Sequence, residues 1–275
     1  MTITKEQLMT YEAYLESEER SAATVEKYVR NAGRFIIWLG ERELSKELVV
    51  EYKATLEGAV ATVNGAISAV NSLLAFLGKS ECRVKQLRVQ RQTYRSEDKE
   101  LTKEELHRLI RTAEEMGDYR LARAIETIAA TGIRVSELRY FTVEALRERE
   151  VVITNKGKTR TVMLTKDLAV KLTKYAKENG IRRGEIFVTR SGRSLARTQL
   201  WAEMKALCKR AGVEETKVFP HNLRHLFAVV YYRLHKDIAK LADLLGHSSI
   251  NTTRIYLIDT GEEHMRQLEA MRLVL

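Results

Sequence analysis

A polar stretch from Gln90 to Lys99 separates two differently patterned halves, and no other feature limits the fold of this chain as strongly. At 275 residues a single hydrophobic core is near its practical limit, so the interruption predicts two domains, 1–89 and 100–275, joined by a polar and basic linker at 90–99. Ahead of it, apolar residues recur at helical spacing: Val25, Tyr28, Val29, Ala32, Phe35, Ile36 and Leu39, then Val63, Ala66, Ile67, Val70, Leu73, Leu74 and Leu77. Thr4 with Gln7 reads as a capping box opening the first helix, and Thr102 with Glu105 repeats that signature after the linker. One segment leaves the helical period. Val151-Val-Ile-Thr and Thr161-Val-Met-Leu are β-branched, alternating runs around a glycine-containing polar turn, which predicts a hairpin. The expected fold is mainly α with a small β-hairpin. The single proline, Pro220, restricts residue 219 to extended backbone and fixes how the next helix begins.

Four separate segments carry residues suited to chemistry on a phosphodiester: Thr131-Gly-Ile-Arg134-Val-Ser-Glu137-Leu, Asn155-Lys156-Gly-Lys158, His221-Asn-Leu-Arg224-His225, and Leu245-Gly-His247 running on to Tyr256. Each alone has an ordinary reading. Arg134 with Glu137 is a common surface ion pair, Gly246-His247 a helix end with a capping histidine, and Tyr256 an amphipathic core aromatic. His221 and His225 have the spacing of a zinc pair, but Asn222 stands where a metalloprotease needs glutamate, and Arg224 between them opposes a cation. Their joint occurrence is not ordinary, because the tyrosine follows the glycine-histidine by nine residues and the whole set lies downstream of the arginine box.

In this order and at these spacings the segments resemble the tyrosine recombinase (integrase) family, closest to its compact Xer-type and phage-integrase members. The resemblance covers residues 100 to 258 well and the first hundred in outline. It implies a helical core-binding (SAM-like) domain before the linker and a catalytic domain after it, ending in an exchange helix at 260–275. A phosphodiester attacked by a tyrosine oxygen passes through a five-coordinate phosphorane with extra negative charge, and planar, permanently charged guanidinium groups suit it. By resemblance Arg134 and Arg224 form that clamp, His247 donates a further hydrogen bond to the phosphate, and Glu137 orients Arg134. Tyr256 is the nucleophile. Its unperturbed pKa near ~10 requires a neighbour to take its proton, and His221 is the implied base. The departing 5′ oxygen needs a proton from a lysine on the hairpin turn. Lys156 directly precedes the glycine as in the family, but the turn is one residue shorter than usual, so Lys158 stays the alternative. Neither cofactor nor metal is implied.

Charge agrees with a polyanionic partner. The formal net charge is +10; residues 1–99 hold 15 basic and 14 acidic side chains, whereas 100–275 hold 32 and 23. Between Cys82 and Ser96 five basic residues, Arg83, Lys85, Arg88, Arg91 and Arg95, occur without an acid. Such a run is often a solvated linker; between two DNA-contacting domains it is expected to follow the phosphate backbone. Cys82 and Cys208 have no paired spacing, no apolar run approaches ~20 residues, and the start lacks a signal-peptide pattern. A cytoplasmic, nucleoid-associated protein without a membrane partner, and without an arm-binding module, is expected.

The resemblance implies a site-specific recombinase acting on double-stranded DNA with an inverted-repeat core site. It would work as a homo-tetramer, or with a paired recombinase, through a Holliday junction. A topoisomerase of the IB type shares the chemistry, but the histidine-to-tyrosine spacing and the apolar tail (Met265, Leu268, Met271, Leu275) argue against it. A catalytically silent DNA-binding regulator is the third reading; such proteins tend to lose a catalytic group, and here none is missing.

Overall fold

The computed structural model describes residues 3–88, 100–155, 157–257, 265–266 and 269–272. They fall into two compact units, Met1–Arg91 and Gln92–Leu275, each with its own core.

The first unit packs four helices, α1 (Lys5–Ser17), α2 (Ala22–Leu39), α3 (Lys46–Thr55) and α4 (Val60–Phe76). The Thr4–Gln7 capping box is formed in both directions. α4 is the apolar centre, burying Val63, Ala66, Ile67, Ala69, Val70, Leu73 and Leu74. Phe35 and Tyr52 meet edge to face against it at 5.0 Å. The chain then runs back along α4 as a strap. Asn71 brackets Val84, accepting from its N–H at 3.0 Å and donating to its carbonyl at 2.8 Å; Asn64 does the same for Leu87 at 2.8 and 2.9 Å. The geometry matches, since seven helical residues rise about 10 Å and three extended residues span about 10 Å. Arg83, Lys85 and Arg88 are therefore ordered on this unit. Arg83 and Lys85 line a basic groove with Lys46 and Lys53. Arg91, Arg95 and the expected linker 90–99 lie outside the described residues.

The second unit contains α5 (Lys103–Glu115), α6 (Tyr119–Thr131), a 3₁₀ turn Val135–Tyr140, α7 (Val143–Glu148), β1 (Glu150–Asn155), β2 (Lys158–Met163), α8 (Lys166–Glu178), α9 (Arg197–Ala211), α10 (Pro220–His235), α11 (Ile238–Leu245) and α12 (Ile250–Thr253), with a further 3₁₀ turn Arg254–Leu257. Thr102 and Glu105 form the second capping box. α6 sits in the middle, with Leu121, Ala122, Ala124, Ile125 and Ile128 buried against α5, α8, α9 and α10. The strands pair antiparallel from Glu150↔Met163 to Asn155↔Lys158, leaving a two-residue turn. Val151, Ile153 and Val162 face the core while Val152 and Met163 face solvent. The expected tail helix at 260–275 falls mostly outside the described residues, of which 265–266 and 269–270 are helical. Among the described residues no helix is long and apolar enough to cross a membrane.

Candidate active site

The site is built around Arg224. Phe219 is extended and Pro220 opens α10, which puts His221 on the first turn and Arg224 on the second. Arg224 is 2% exposed. Its Nη1 donates to the Gly132 carbonyl at 2.8 Å, and its Nη2 to the Leu245 carbonyl at 2.8 Å. Those carbonyls sit at the C-terminal ends of α6 and α11, where unpaired backbone oxygens carry partial negative charge, so two helix ends compensate a guanidinium that burial alone would expel. Both ends close on a glycine in the left-handed region, Gly132 at φ +65° and Gly246 at φ +64°. At Gly132 a Cβ would also lie 2.4 Å from the Phe227 ring.

Arg224 also fixes the state of His247. Arg224 Nη2 lies 2.8 Å from His247 Nε2, and His247 Nδ1 lies 2.8 Å from Thr253 Oγ1. A guanidinium only donates, so Nε2 carries the lone pair and Nδ1 carries the proton, which it gives to Thr253. Burial, then the charges of Arg224, Arg134 and Arg160, lower the His247 pKa to about 4, in keeping with a neutral ring.

Arg134 follows the α6 cap and is held by a carboxylate instead. Glu137 is 1% exposed and accepts from the Arg134 backbone N–H at 2.7 Å and from Arg134 Nη1 at 3.1 Å. Its other partner is Arg160 on β2, whose Nη1 and Nη2 reach the two carboxylate oxygens at 3.1 and 2.8 Å. Burial would raise the Glu137 pKa, but the hydrogen bonds and charges of Arg160 and Arg134 outweigh it and hold the carboxyl below its ordinary range. Two residues from Arg160, Lys158 Nζ donates to Ser248 Oγ at 3.0 Å, beside His247.

Tyr256 is buried, packed with Ala228, Leu241 and Leu245. It interacts electrostatically with Arg224 across the site. Its ring stacks on His247, with centroids 6.0 Å apart, and meets His225 at 5.0 Å. His221 remains accessible and lines a pocket of about 300 Å³ with Arg134, Ser136, Arg197 and Arg224. Desolvation and the charges of Arg224, Arg197 and Arg134 lower its pKa, which keeps it available as a proton acceptor.

Thus Arg134, Glu137, His221, Arg224, His247 and Tyr256 come together, while Lys156 lies outside the described residues. Arg83, Lys85 and Arg88 belong to the other unit. Sequence reasoning missed Arg160, Arg197 and Thr253. For Arg160 a signal exists: Val162, Arg160 and Lys158 share the inward face of β2, and a cation at an inward strand position needs a partner. No motif marks Arg197, which reaches the pocket from the start of α9.

Residues 99–263 match the phage integrase family. The tyrosine recombinase XerH of Campylobacter jejuni is 35% identical over 167 residues, covering 57% of this chain and 47% of that protein. The tyrosine recombinase XerD of Xanthomonas campestris is 32% identical over 194 residues, covering 64% of this chain and 59% of that protein. The chain thus spans about half the length of the curated relatives it matches. Among solved structures, a pre-cleavage complex of XerH site-specific recombinase bound to difH substrate superposes with a TM-score of 0.72 at 20% identity, covering 99% of this chain and 85% of that one. A lambda integrase tetramer bound to a Holliday junction gives 0.71 at 18%, covering 91% and 76%. At these identities the likeness is one of fold.

Proposed function

The chain belongs to the phage integrase family, and on that premise we propose that it is a site-specific DNA recombinase that breaks and rejoins DNA through a covalent 3′-phosphotyrosine at Tyr256. The observation that carries this reading is that Tyr256 stacks on His247, which Arg224 bonds, so the tyrosine joins a site that also gathers Arg134. A nucleophile and the cations that stabilise its transition state are already in one place.

In this reading a scissile phosphate enters the pocket of Arg134, Arg197, His221 and Arg224 and takes guanidinium hydrogens for its non-bridging oxygens. Arg224 keeps its carbonyl anchors while the phosphate replaces His247 Nε2 as partner of Nη2. His247 can then donate to the phosphate only in its other neutral tautomer, with Nε2 taking a proton from solvent as Nδ1 gives one up. Thr253 permits this without losing a hydrogen bond, because its hydroxyl, now accepting from Nδ1, can turn and donate to it. His221 takes the Tyr256 proton, and the lysine of the hairpin turn, Lys156 by resemblance, protonates the leaving 5′ oxygen. Charge is supplied by arginine, so neither metal nor cofactor is required.

The names of the related proteins support the wider assignment. A double-stranded inverted-repeat core site, a tetramer of this chain or of this chain with a paired recombinase, and passage through a Holliday junction fit a DNA-acting protein in the cytoplasm, associated with the nucleoid. The helical unit before the linker, with its basic strap residues Arg83, Lys85 and Arg88, serves as the second DNA clamp.

The test is a suicide duplex carrying a selected site, incubated with excess chelator. A covalent protein–DNA adduct is expected to form at an undiminished rate; an adduct that needs a divalent ion would overturn the arginine-only chemistry. On a 5′-bridging phosphorothiolate duplex, Lys156→Ala is expected to recover cleavage because the thiolate leaves unprotonated. Recovery by Lys158→Ala instead would reassign the acid.

A further inference from the structure

Four hydrogen bonds saturate the buried Glu137 carboxylate, and Arg160 makes two of them, one to each oxygen. The same side chain lies against Gly246, where a Cβ would stand 2.8 Å from Arg160 Nη1 and 2.9 Å from its Cδ. Gly246 begins the turn that presents His247 and Ser248. Arg160 therefore touches both arms of the phosphate site, the one leading through Glu137 to Arg134 and the one leading through Gly246 to His247. The hairpin that carries it is fixed through both strands, on β2 by Lys158 on Ser248 and on β1 by the Tyr140 hydroxyl, which donates to the Thr154 carbonyl.

We propose that Arg160 is a positioning residue of the cleavage site, setting the pose of Arg134 and of the His247 turn with one planar, two-pronged side chain. Only a guanidinium can do this: a lysine at 160 keeps the charge but cannot bridge two carboxylate oxygens while its stem packs on glycine. Arg160 is not among the residues that line the pocket of His221 and Arg224, and its hydrogen bonds go to Glu137, so its effect travels through Glu137 and Gly246. The inference rests on the recombinase reading and adds to it a determinant that its chemistry does not itself demand.

The test uses the full chain with Arg160→Met, Arg160→Lys, Glu137→Gln and the Arg160→Met/Glu137→Gln double variant. Melting, affinity for duplex DNA and single-turnover adduct formation are measured for each. Single-turnover cleavage is expected to fall about 100-fold in Arg160→Met, the scale of a small misplacement of reacting groups, with DNA affinity within about threefold of wild type. Arg160→Lys is expected to do no better. The double variant is expected to be no worse than the poorer single one, since both remove the same link. Near-normal cleavage in Arg160→Met, recovery by lysine, or additive losses in the double variant would overturn the positioning role. Failure of both Arg160 variants to melt cooperatively would overturn it too, making Arg160 a folding residue. Absence of any adduct with the wild-type chain would instead overturn the recombinase reading.

Discussion

Arg224 and Arg134 bring the same functional group to one pocket, but the two regions that hold them are built differently. At the helix corner Arg224 is gripped by main-chain carbonyls at the ends of α6 and α11 and is 2% exposed. At the hairpin edge the Arg134 side chain is 39% exposed and is aligned by a carboxylate that Arg160 in turn holds. The corner depends on backbone and therefore on the fold; the edge depends on side chains and can be altered while the fold stands. A buried cation at helix ends is costly to disturb, whereas a cation half in water costs stability little to remove.

Substituting the two arginines is the strongest way to break this contrast. Arg224→Ala is expected to lower cleavage by about 10³-fold or more and also to cost about 2–4 kcal/mol, because two buried carbonyls lose their donor. Arg134→Ala is expected to lower cleavage by about 10²–10³-fold while the melting temperature stays within about 3 °C of wild type. Equal destabilisation by both, in paired melting and single-turnover experiments, would erase the distinction.

Gly132→Ala probes the corner alone. A left-handed backbone and a Cβ that would clash with the Phe227 ring are expected to cost about 1–3 kcal/mol, read as a fall in melting temperature, with a loss of cleavage as the Gly132 carbonyl moves off Arg224. Unchanged stability would show that Phe227 yields freely.

The pH dependence of stability sharpens the contrast further. His247 has a folded value of about 4 against an ordinary 6.5, so between those values the unfolded chain binds more protons. Its contribution is complete above about pH 6.5 and is lost as pH falls through about 4. His221, also lowered, acts in the same direction. Melting temperature is expected to fall across this window, and less steeply in His247→Asn; identical profiles would remove His247 from the linkage.

The smallest effect is expected at Thr253, which is fully buried. Thr253→Val keeps the shape and removes the hydroxyl that partners His247 Nδ1. Cleavage is expected to fall about tenfold, with a stability loss of about 1 kcal/mol, in the same paired measurements. No change in rate would mean that His247 acts without Thr253.

What the sequence revealed was mostly local. The two capping boxes, the extended residue before Pro220 and the alternating hairpin obey rules that operate within a few residues, and each is present. The site motifs were readable because cations, histidines and a tyrosine at fixed offsets have few common causes. Interactions made by folding were harder to read. Arg197 lines the pocket only because α9 packs beside α10. His225 was weighed in sequence only as half of an unlikely metal pair, and it lies against Tyr256. The basic run after Cys82 begins inside the expected first domain, but its path along α4 was not readable, since it depends on Asn71 and Asn64 bonding Val84 and Leu87 at a repeat that matches an extended chain. Arg160 is intermediate: strand alternation marks it as inward, but only tertiary structure names Glu137 as its partner.

The most direct test of the whole reading is to trap the cleavage product and identify its protein end. Wild-type chain is incubated with a suicide duplex, the adduct is digested, and the DNA-linked peptide is identified by mass spectrometry while the free DNA end is tested for phosphorylation by polynucleotide kinase. The expected result is a 3′ phosphate esterified to Tyr256 and a kinase-accessible 5′ hydroxyl, with Tyr256→Phe binding the duplex equally well but forming no adduct. Linkage to any other residue, or an undiminished adduct in Tyr256→Phe, would contradict it.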